Sequence, residues 1–401
     1  MKVLTLILAG GLGRSLGALT QQRSKPAVPI AGKYRLIDFP LSNAVNSKLK
    51  SIAVLAQFHA FSLVEYLGTG GPWGLDETAG GSLQIWPPYR GRTELASYLG
   101  TANAVYQNRD YILETGCEMV LILAGDHICR QDYRELIAFH QEKEASLTLS
   151  TLEVPRADAH RFGVMDVDEQ GKIRGFHEKV DDPPSTLASM GIYVFNTAFL
   201  LGLLENDARN PESRHDFGAD IIPQVVGRGR AYAYPFHGYW RDVGSLEAYW
   251  RCNMDLLGPA PAFRLNDPAW AIRTPPAEPW PPAQVAAARD SLISEGVEAR
   301  GGVEHSVLSP GVVVEEGAVV RDSVLLERVT IRAGAVVERC VIDQDSEVSA
   351  GARLGAEDAP ETGAPVFSGG VTLVGRQAVI PPAAVVGRGM LVEGGGSSDI
   401  P

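Results

Sequence analysis

The sequence lacks the features by which a protein holds nucleic acid or a membrane. Lysine and arginine number 36 against 48 aspartates and glutamates, the net charge at pH 7 is -12, and the positive residues form no local cluster. Such a chain repels nucleic acid and anionic lipid. No run approaches the roughly 20 apolar residues that a membrane-spanning helix needs. We therefore expect neither nucleic acid nor membrane as a partner, and a small anionic substrate held by a few placed groups.

Cysteine is also scarce. The four residues Cys117, Cys129, Cys252 and Cys340 form no C-x-x-C pair and no metal-binding spacing. Scattered cysteines in a chain of 401 residues predict reduced, buried thiols and a cytoplasmic protein. The apolar run after Lys2 resembles a signal peptide, but it is only about seven residues long before glycines follow it. It predicts a buried first strand.

The first part of the chain has an alternating pattern. Short apolar runs occur at 2–9, 51–56, 118–124 and 146–152, and helical patterns lie near 40–49, 101–114 and 131–142. Strands that alternate with helices predict an α/β domain with a mostly parallel sheet. Ligands in such domains bind beyond the carboxyl ends of the strands. We expect this domain to span 1–258.

A different pattern governs the rest of the chain. Prolines crowd into 259–290, which predicts a connector anchored by Trp270 and Trp280. Beyond it, aliphatic residues recur every sixth position, at Val307, Val313, Val319, Leu325, Ile331 and Val337, and after a slip of one residue at Ile342, Val348 and Leu354. A period of six favours a left-handed parallel β-helix over 291–393 more than the alternative, a β-sandwich. The tail 394–401 is predicted to be flexible.

Three segments are candidates for chemistry on their residues alone. The glycine-rich run L-A-G-G-L-G-R-S-L at 8–16 can bring backbone N–H groups to a phosphate or a purine, although it lacks the Walker A ending and serves equally well as a tight turn. Asp126 in L-A-G-D-H either holds Mg²⁺ or caps a helix. Asp242 in Y-W-R-D-V-G either supplies a second carboxylate to that metal or lies in a surface turn.

Taken in order, these and other segments resemble the bacterial glucose-1-phosphate adenylyltransferases over nearly the whole chain. The shared segments include R-S-K-P-A-V at 23–28, G-T-A-N-A-V at 100–105, A-G-D-H-I at 124–128, L-A-S-M-G-I-Y-V-F at 187–195, H-D-F-G at 215–218 and Y-W-R-D-V-G at 239–244. The resemblance implies a nucleotidyltransferase domain that is glycosyltransferase-A-like and Rossmann-like, followed by a left-handed β-helix. It also implies transfer of an adenylyl group from ATP to glucose 1-phosphate, giving ADP-glucose and diphosphate for glycogen or another α-glucan.

The resemblance assigns roles residue by residue. Lys25, Asp126 and Asp242 are the implied catalytic residues, and the two aspartates share Mg²⁺. ATP is expected at Gly10, Gly11, Gly13, Gln57 and Gly100. Glucose 1-phosphate is expected at Tyr98, Gly163, Glu178, Lys179, Ser189, Tyr193, Asp216, Phe217 and Trp240. Members of the family assemble as oligomers, so we expect a homo-oligomer or a hetero-oligomer with a paralogous subunit, of tetrameric size.

The sequence departs from the family on the triphosphate side. Ser15 stands where the family has an arginine, with Arg14 one position earlier; Leu99 and Asn103 also differ, and Gln22 replaces a basic residue associated with activator binding. Two hypotheses follow. The chain is either a working adenylyltransferase or a catalytically impaired regulatory or scaffolding subunit that assembles with an active paralogue. A different nucleotide, dTTP or UTP, is a third reading, which W-A-I-R-T at 270–274 and H-D-F-G disfavour.

Overall fold

A computed structural model describes residues 2–88, 97–228, 230–276, 278–357 and 366–395. The chain divides into two compact units, one formed by Met1–Gly11 with Phe39–Trp240 and the other by Leu12–Asp38 with Arg241–Pro401. The strand Trp240–Asp242 begins in the first unit and is described with it. In the described part of the chain, no helix is both long and apolar enough to cross a membrane. The predicted flexible tail lies outside the described residues from position 396 onward.

The first unit contains a mixed sheet. Four strands run parallel in the order Met119–Ala124, Val3–Ala9, Ser51–Ala56, Ser82–Trp86. Five further strands extend the sheet through antiparallel pairs, except that the last of them pairs in parallel with the first. They are Leu147–Glu153, Gly163–Val167, Ile173–Glu178, Leu187–Asn196 and Ala231–Pro235. The expected parallel sheet is thus confirmed for its centre. The antiparallel part was not anticipated, because strand direction is set by long-range pairing.

Helices surround this sheet. They are Asp38–Asn46, Ala60–Leu67, Thr101–Gln107, Arg109–Thr115, Tyr133–Glu142, Thr197–Ala208, Ile222–Arg228 and a π-helical turn, Phe217–Ile221. Leu6, Ile7, Val120 and Ile122 of the two central strands are completely buried. A strand covered on both faces must be apolar at nearly every position, which explains the continuous apolar runs in the sequence.

The second unit contains the β-helix. Its strands pair in parallel, and between Gly302 and Leu354 the offset is a regular 17 residues, so that Leu308 lies beside Leu325 and Leu325 beside Ile342. Two earlier strand pairs are offset by 15 residues, as Leu292 with Val307. Its described strands are Gln284–Arg289, Leu292–Ile293, Glu298–Glu304, Val307–Leu308, Val313–Val314, Val319–Arg321, Val324–Leu325, Thr330–Ile331, Val336–Glu338, Cys340–Ile342, Glu347–Val348, Arg353–Ala356, Thr372–Val374, Val379–Ile380, Val385–Gly387 and Leu391–Val392. The six-residue periodicity is confirmed as a parallel β-helix of the left-handed hexapeptide kind.

The predicted inward register is wrong at Val313 and Val319. Val313 and Val319 are only partly buried, whereas the neighbouring Val314 and Val320 are completely buried. The slip of one residue comes once in every coil, because three sides that together span 17 residues cannot all hold six. The sequence had suggested a single slip.

The proline-rich segment contributes to the same unit. Its part Gln284–Arg289 is a strand that pairs in parallel with Glu298–Glu304, so the β-helix begins before position 291. Trp270 is buried. Trp280 lies against Gly296 and Gly311, where an added Cβ would come within 2.4 and 2.6 Å of its ring.

The segment 12–38 belongs to this unit as well. It contains the turns Arg14–Thr20 and Lys25–Ala27 and a short antiparallel pair, Pro29–Ile30 with Tyr34–Arg35. The described helices of the remainder are Leu246–Met254 and the short turns Pro268–Trp270 and Ser368–Gly370.

Candidate active site

Three loops leave the parallel strands of the first unit at one edge. Gly10 follows Val3–Ala9, Gln57 follows Ser51–Ala56, and Asp126 comes two residues after Met119–Ala124. The register pairs Ala9 with Ala56 and Leu8 with Ala124, so the strands end level with one another. The carboxyl edge of a parallel sheet is where such folds bind ligands. The structure therefore brings these predicted residues to a common edge.

Gly10 lies beside two other predicted residues. A Cβ at Gly10 would lie 3.5 Å from the Tyr98 ring and 3.8 Å from Gln57 Cβ. Gln57 Oε1 accepts a hydrogen bond from the Tyr98 backbone N–H at 2.8 Å. The Tyr98 hydroxyl donates to the Trp86 carbonyl at 2.9 Å, and burial raises its pKa to about 12. Tyr98, expected near the sugar phosphate, is thus held next to the residues expected at ATP.

Gly11 and Gly100 differ in the free space around them. Nothing lies within 4 Å of a Cβ built on Gly11, so its backbone is open to a ligand. A Cβ at Gly100 would come 2.4 Å from the His215 carbonyl oxygen, which accepts hydrogen bonds from the first turn of Thr101–Gln107. His215 itself is held by a 2.7 Å contact between Nδ1 and the buried Asp207. Gly100 and His215 therefore shape the helix start.

Asn103, where the sequence departs from the family that it resembles, accepts two hydrogen bonds that hold the local structure. Asn103 Oδ1 accepts hydrogen bonds from the Leu99 N–H at 3.1 Å and from Gln107 Nε2 at 2.7 Å. An aspartate could accept both bonds in the same way, so the local geometry needs an acceptor and not a charge. The Leu99 side chain is 51% exposed.

Glu178, one of the predicted sugar-site residues, lies against two glycines. Its carboxylate oxygen would lie 2.6 Å from a Cβ at Gly163, and closer still to one at Gly218. Lys179 Nζ lies 3.4 Å from Glu178 Oε1. Burial raises the pKa of the Glu178 carboxyl, the charge of Lys179 opposes this, and the charge of Asp216 adds to it. The two glycines make room for this carboxylate.

Asp216 and Phe217 begin the π-helical turn beside it. Asp216 Oδ1 accepts hydrogen bonds from the N–H groups of Gly218 and Ala219 at 2.9 and 3.1 Å, and its Oδ2 accepts from Thr101 Oγ1 at 2.9 Å. One carboxylate oxygen thus has partners in the turn and the other in a neighbouring helix. Thr101 was not among the predicted residues, although it follows Gly100 directly.

Two aromatic rings pack against each other in the same region. The Tyr193 and Phe217 ring centroids are 5.8 Å apart, and both residues are buried. Burial raises the Tyr193 pKa, a hydrogen bond with Ser189 lowers it, and the charges of Glu178 and Asp216 raise it further. These five predicted sugar-site residues therefore lie close together.

Asp126 lies in a candidate metal centre. It precedes the short strand His127–Cys129, while the next helix is capped by Asp132, whose carboxylate accepts from the Arg134 N–H. The helix-cap alternative for Asp126 is therefore excluded. One possible ligand atom from each of Asp126, His127 and Asp242 lies within 4.8 Å of the others. Carboxylate oxygens suit Mg²⁺.

His127 was missed by the sequence reasoning, although it is adjacent to Asp126. Its ring meets Trp240 edge-on with centroids 5.5 Å apart, and Trp240 also contacts Phe162 at 5.3 Å. A Cβ at Gly191 would lie 3.0 Å from the His127 ring. These contacts link the candidate metal centre to the strand that carries Ser189 and Tyr193.

Gly13 and Lys25 lie together in the second unit. A Cβ at Gly13 would be 3.2 Å from Lys25 Cβ, and the positive φ of 69° at Gly13 also favours glycine. Arg14 and Ser15 are exposed in the turn that follows. The loop thus presents both side chains to solvent.

We expect Glu178→Gln to raise Tm near neutral pH while weakening sugar-phosphate binding. Folding raises the pKa of this carboxyl, so its ionisation destabilises the folded state. This destabilisation is absent below the unfolded pKa and reaches its full size above the folded pKa. The amide removes this cost together with an acceptor for sugar hydroxyls. Thermal unfolding from about pH 4 to pH 7 would measure it, with the exposed Glu169→Gln as control. An unchanged pH dependence of Tm in Glu178→Gln would contradict the expectation.

Comparison with known proteins agrees with the motifs. A model of the nucleotidyl transferase family matches residues 4–258, and a model of the GlmU-like C-terminal hexapeptide region matches residues 280–374. A glucose-1-phosphate adenylyltransferase of Thermotoga maritima is 50% identical over 394 residues, which cover 96% of this chain and 93% of the relative. Proteins of the same name from Acetivibrio thermocellus (42% identical; 98% and 93% covered) and Bacillus cereus strain Q1 (47%; 80% and 86%) also match. The chain therefore belongs to the glucose-1-phosphate adenylyltransferases.

Proposed function

We propose that this chain transfers the adenylyl group of ATP to α-D-glucose 1-phosphate, forming ADP-glucose and diphosphate. The observation that carries the proposal is the candidate metal centre, Asp126, His127 and Asp242, in a chain whose relatives at 42–50% identity are named for this activity. No finding favours the impaired-subunit alternative.

The proposed chemistry needs positioning and positive charge more than a nucleophilic side chain. The phosphate of glucose 1-phosphate is itself the nucleophile at the α-phosphorus, and diphosphate leaves. Mg²⁺, when bound, would neutralise charge on the phosphates, and Asp126 and Asp242 would hold it, with His127 as a further donor. We assign Lys25 to the phosphates and the loop of Gly10, Gly11 and Gly13 to the nucleotide.

The sugar is proposed to bind among Glu178, Asp216, Ser189 and Tyr193. Carboxylates and hydroxyls match the hydrogen-bonding capacity of a pyranose, and the rings of Phe217 and Trp240 can cover its apolar face. The partial burial of Glu178 and the burial of Tyr193 support this assignment, because polar contacts are stronger where less water competes for them.

The wider context is proposed from the same activity. ADP-glucose is a glucosyl donor, so we propose a role in the synthesis of glycogen or another α-glucan in the cytoplasm. All four cysteines are free and buried, which agrees with a reducing compartment. We also propose a homo- or hetero-oligomer of tetrameric size.

The direct test is release of diphosphate by the purified chain supplied with ATP, glucose 1-phosphate and Mg²⁺. ADP-glucose should form, and chelation of the metal should stop the reaction. UTP and dTTP serve as matched competitors. Faster turnover with either would reject the adenylyl assignment, and no turnover with any nucleotide would reject the proposal as a whole.

A further inference from the structure

The backbone at Gly17 has a conformation that only glycine adopts readily. Its φ is 54° and its ψ is -130°, which places it outside the regions open to residues with a Cβ. A Cβ there would also lie 2.9 Å from Cζ of Phe367 and 3.1 Å from Cδ2 of Leu373. Phe367 and Leu373 therefore pack directly against the backbone of the turn Arg14–Thr20.

The rest of this turn is fastened to the same coils. Leu16, Ala18 and Leu19 are buried. Just beyond it, Arg23 Nη2 donates to both carboxylate oxygens of Asp343 at 2.8 and 2.9 Å, and both side chains are at most 9% exposed. Buried contacts of this kind leave the turn little freedom to move independently of the β-helix.

Thr20 connects Gly17 to Gly13, in the loop that is proposed to face the phosphates. Its hydroxyl lies 3.2 Å from the Gly17 carbonyl oxygen and 2.9 Å from that of Gly13. A Cβ at Gly13 would in turn meet Thr20 Cγ2 at 2.9 Å and Lys25 Cβ at 3.2 Å. A continuous set of contacts thus leads from Phe367 through Gly17, Thr20 and Gly13 to Lys25.

We propose that Phe367 is a positioning residue for the triphosphate loop, because it seats Gly17 and thereby fixes Gly13, Ser15 and Lys25. The inference rests on the proposed adenylyl transfer for its kinetic consequence. It gives the unit that contains the β-helix a part in the proposed ATP binding through Gly13 and Lys25, whereas the predicted sugar-site residues all belong to the other unit.

The test compares Phe367→Ala with Phe367→Leu and with Val366→Ala, a change at the adjacent, 59% exposed side chain. We expect Phe367→Ala to raise the KM for ATP by about tenfold, less than the roughly hundredfold that a 1 Å misplacement of reacting groups can cost, with the KM for glucose 1-phosphate unchanged. Phe367→Leu should restore most of the loss, and Val366→Ala should have no effect.

Amide hydrogen exchange gives a second readout that does not need turnover. The amides of residues 13–20 should exchange faster in Phe367→Ala than in the parent protein. Unaltered exchange, or a parallel rise of both KM values, would overturn the proposal. If the parent protein makes no ADP-glucose, the proposed function fails, while the exchange data still decide whether Phe367 holds the loop.

Discussion

Asp126→Asn should reduce ADP-glucose formation by about a thousandfold or more while leaving Tm nearly unchanged. A bound metal contributes several kcal/mol of charge stabilisation in the transition state, and each 1.36 kcal/mol is a factor of about ten in rate. The amide keeps the shape of the side chain but loses the charge that would hold the ion. Because Asp126 caps no helix and lies just before a short strand, we expect the fold to tolerate the loss of that charge.

The experiment combines turnover, metal affinity and thermal unfolding. Mn²⁺ titration should show weakened binding in Asp126→Asn. The matched control is Asp158→Asn, the same change at a side chain that is about half exposed and is not part of the candidate metal centre. Retained activity would exclude Asp126 as a metal ligand. A large drop in Tm would instead indicate a structural role for the carboxylate.

Ser15→Arg should raise kcat/KM for ATP by up to about a hundredfold, with the KM for glucose 1-phosphate unaffected. A guanidinium aimed at the leaving diphosphate stabilises charge that develops in the transition state, and removal of one such group typically costs a hundredfold or more. Ser15 is exposed in the turn Arg14–Thr20, so a longer side chain meets no buried neighbour there.

Arg14→Ala is the control that separates two hypotheses: that Arg14 already binds the triphosphate, or that the loop lacks a cation for it. If Arg14 already serves the triphosphate, its removal should collapse kcat/KM and Ser15→Arg should add little. If the parent protein has almost no turnover and Ser15→Arg restores it, the impaired-subunit hypothesis regains its place. A null result for Ser15→Arg together with an unchanged Arg14→Ala would show that neither position faces the phosphates.

Local patterns in the sequence were enough for the parallel strands and for the position of Asp126. Apolar runs followed by glycine or aspartate identify buried strands and their carboxyl ends, and a period of six identifies the coils. These features depend on residues close together in the chain, or on a repeat that copies one local environment.

Other features depend on contacts that no local pattern records. The hydrogen bond between Gln57 and Tyr98 joins residues 41 positions apart, and the contact of Gly17 with Phe367 joins opposite ends of the sequence. The inward register of the β-helix was misread at Val313 because two valines stand side by side there, and only the coil circumference decides between them. His127 carries no signal beyond its neighbour.

The regular offset of the β-helix has a consequence for how this family can vary in length. Ile342 pairs with Val374, 32 positions later and not 17, and the two following sides keep the same longer offset. The extra residues fall between Arg353–Ala356 and Thr372–Val374, and the parallel pairing continues beyond them. The β-helix can therefore take up an added segment between two sides at a modest entropic cost, whereas deletion of one residue within a side would turn the aliphatic residues that follow it on that side out of the interior.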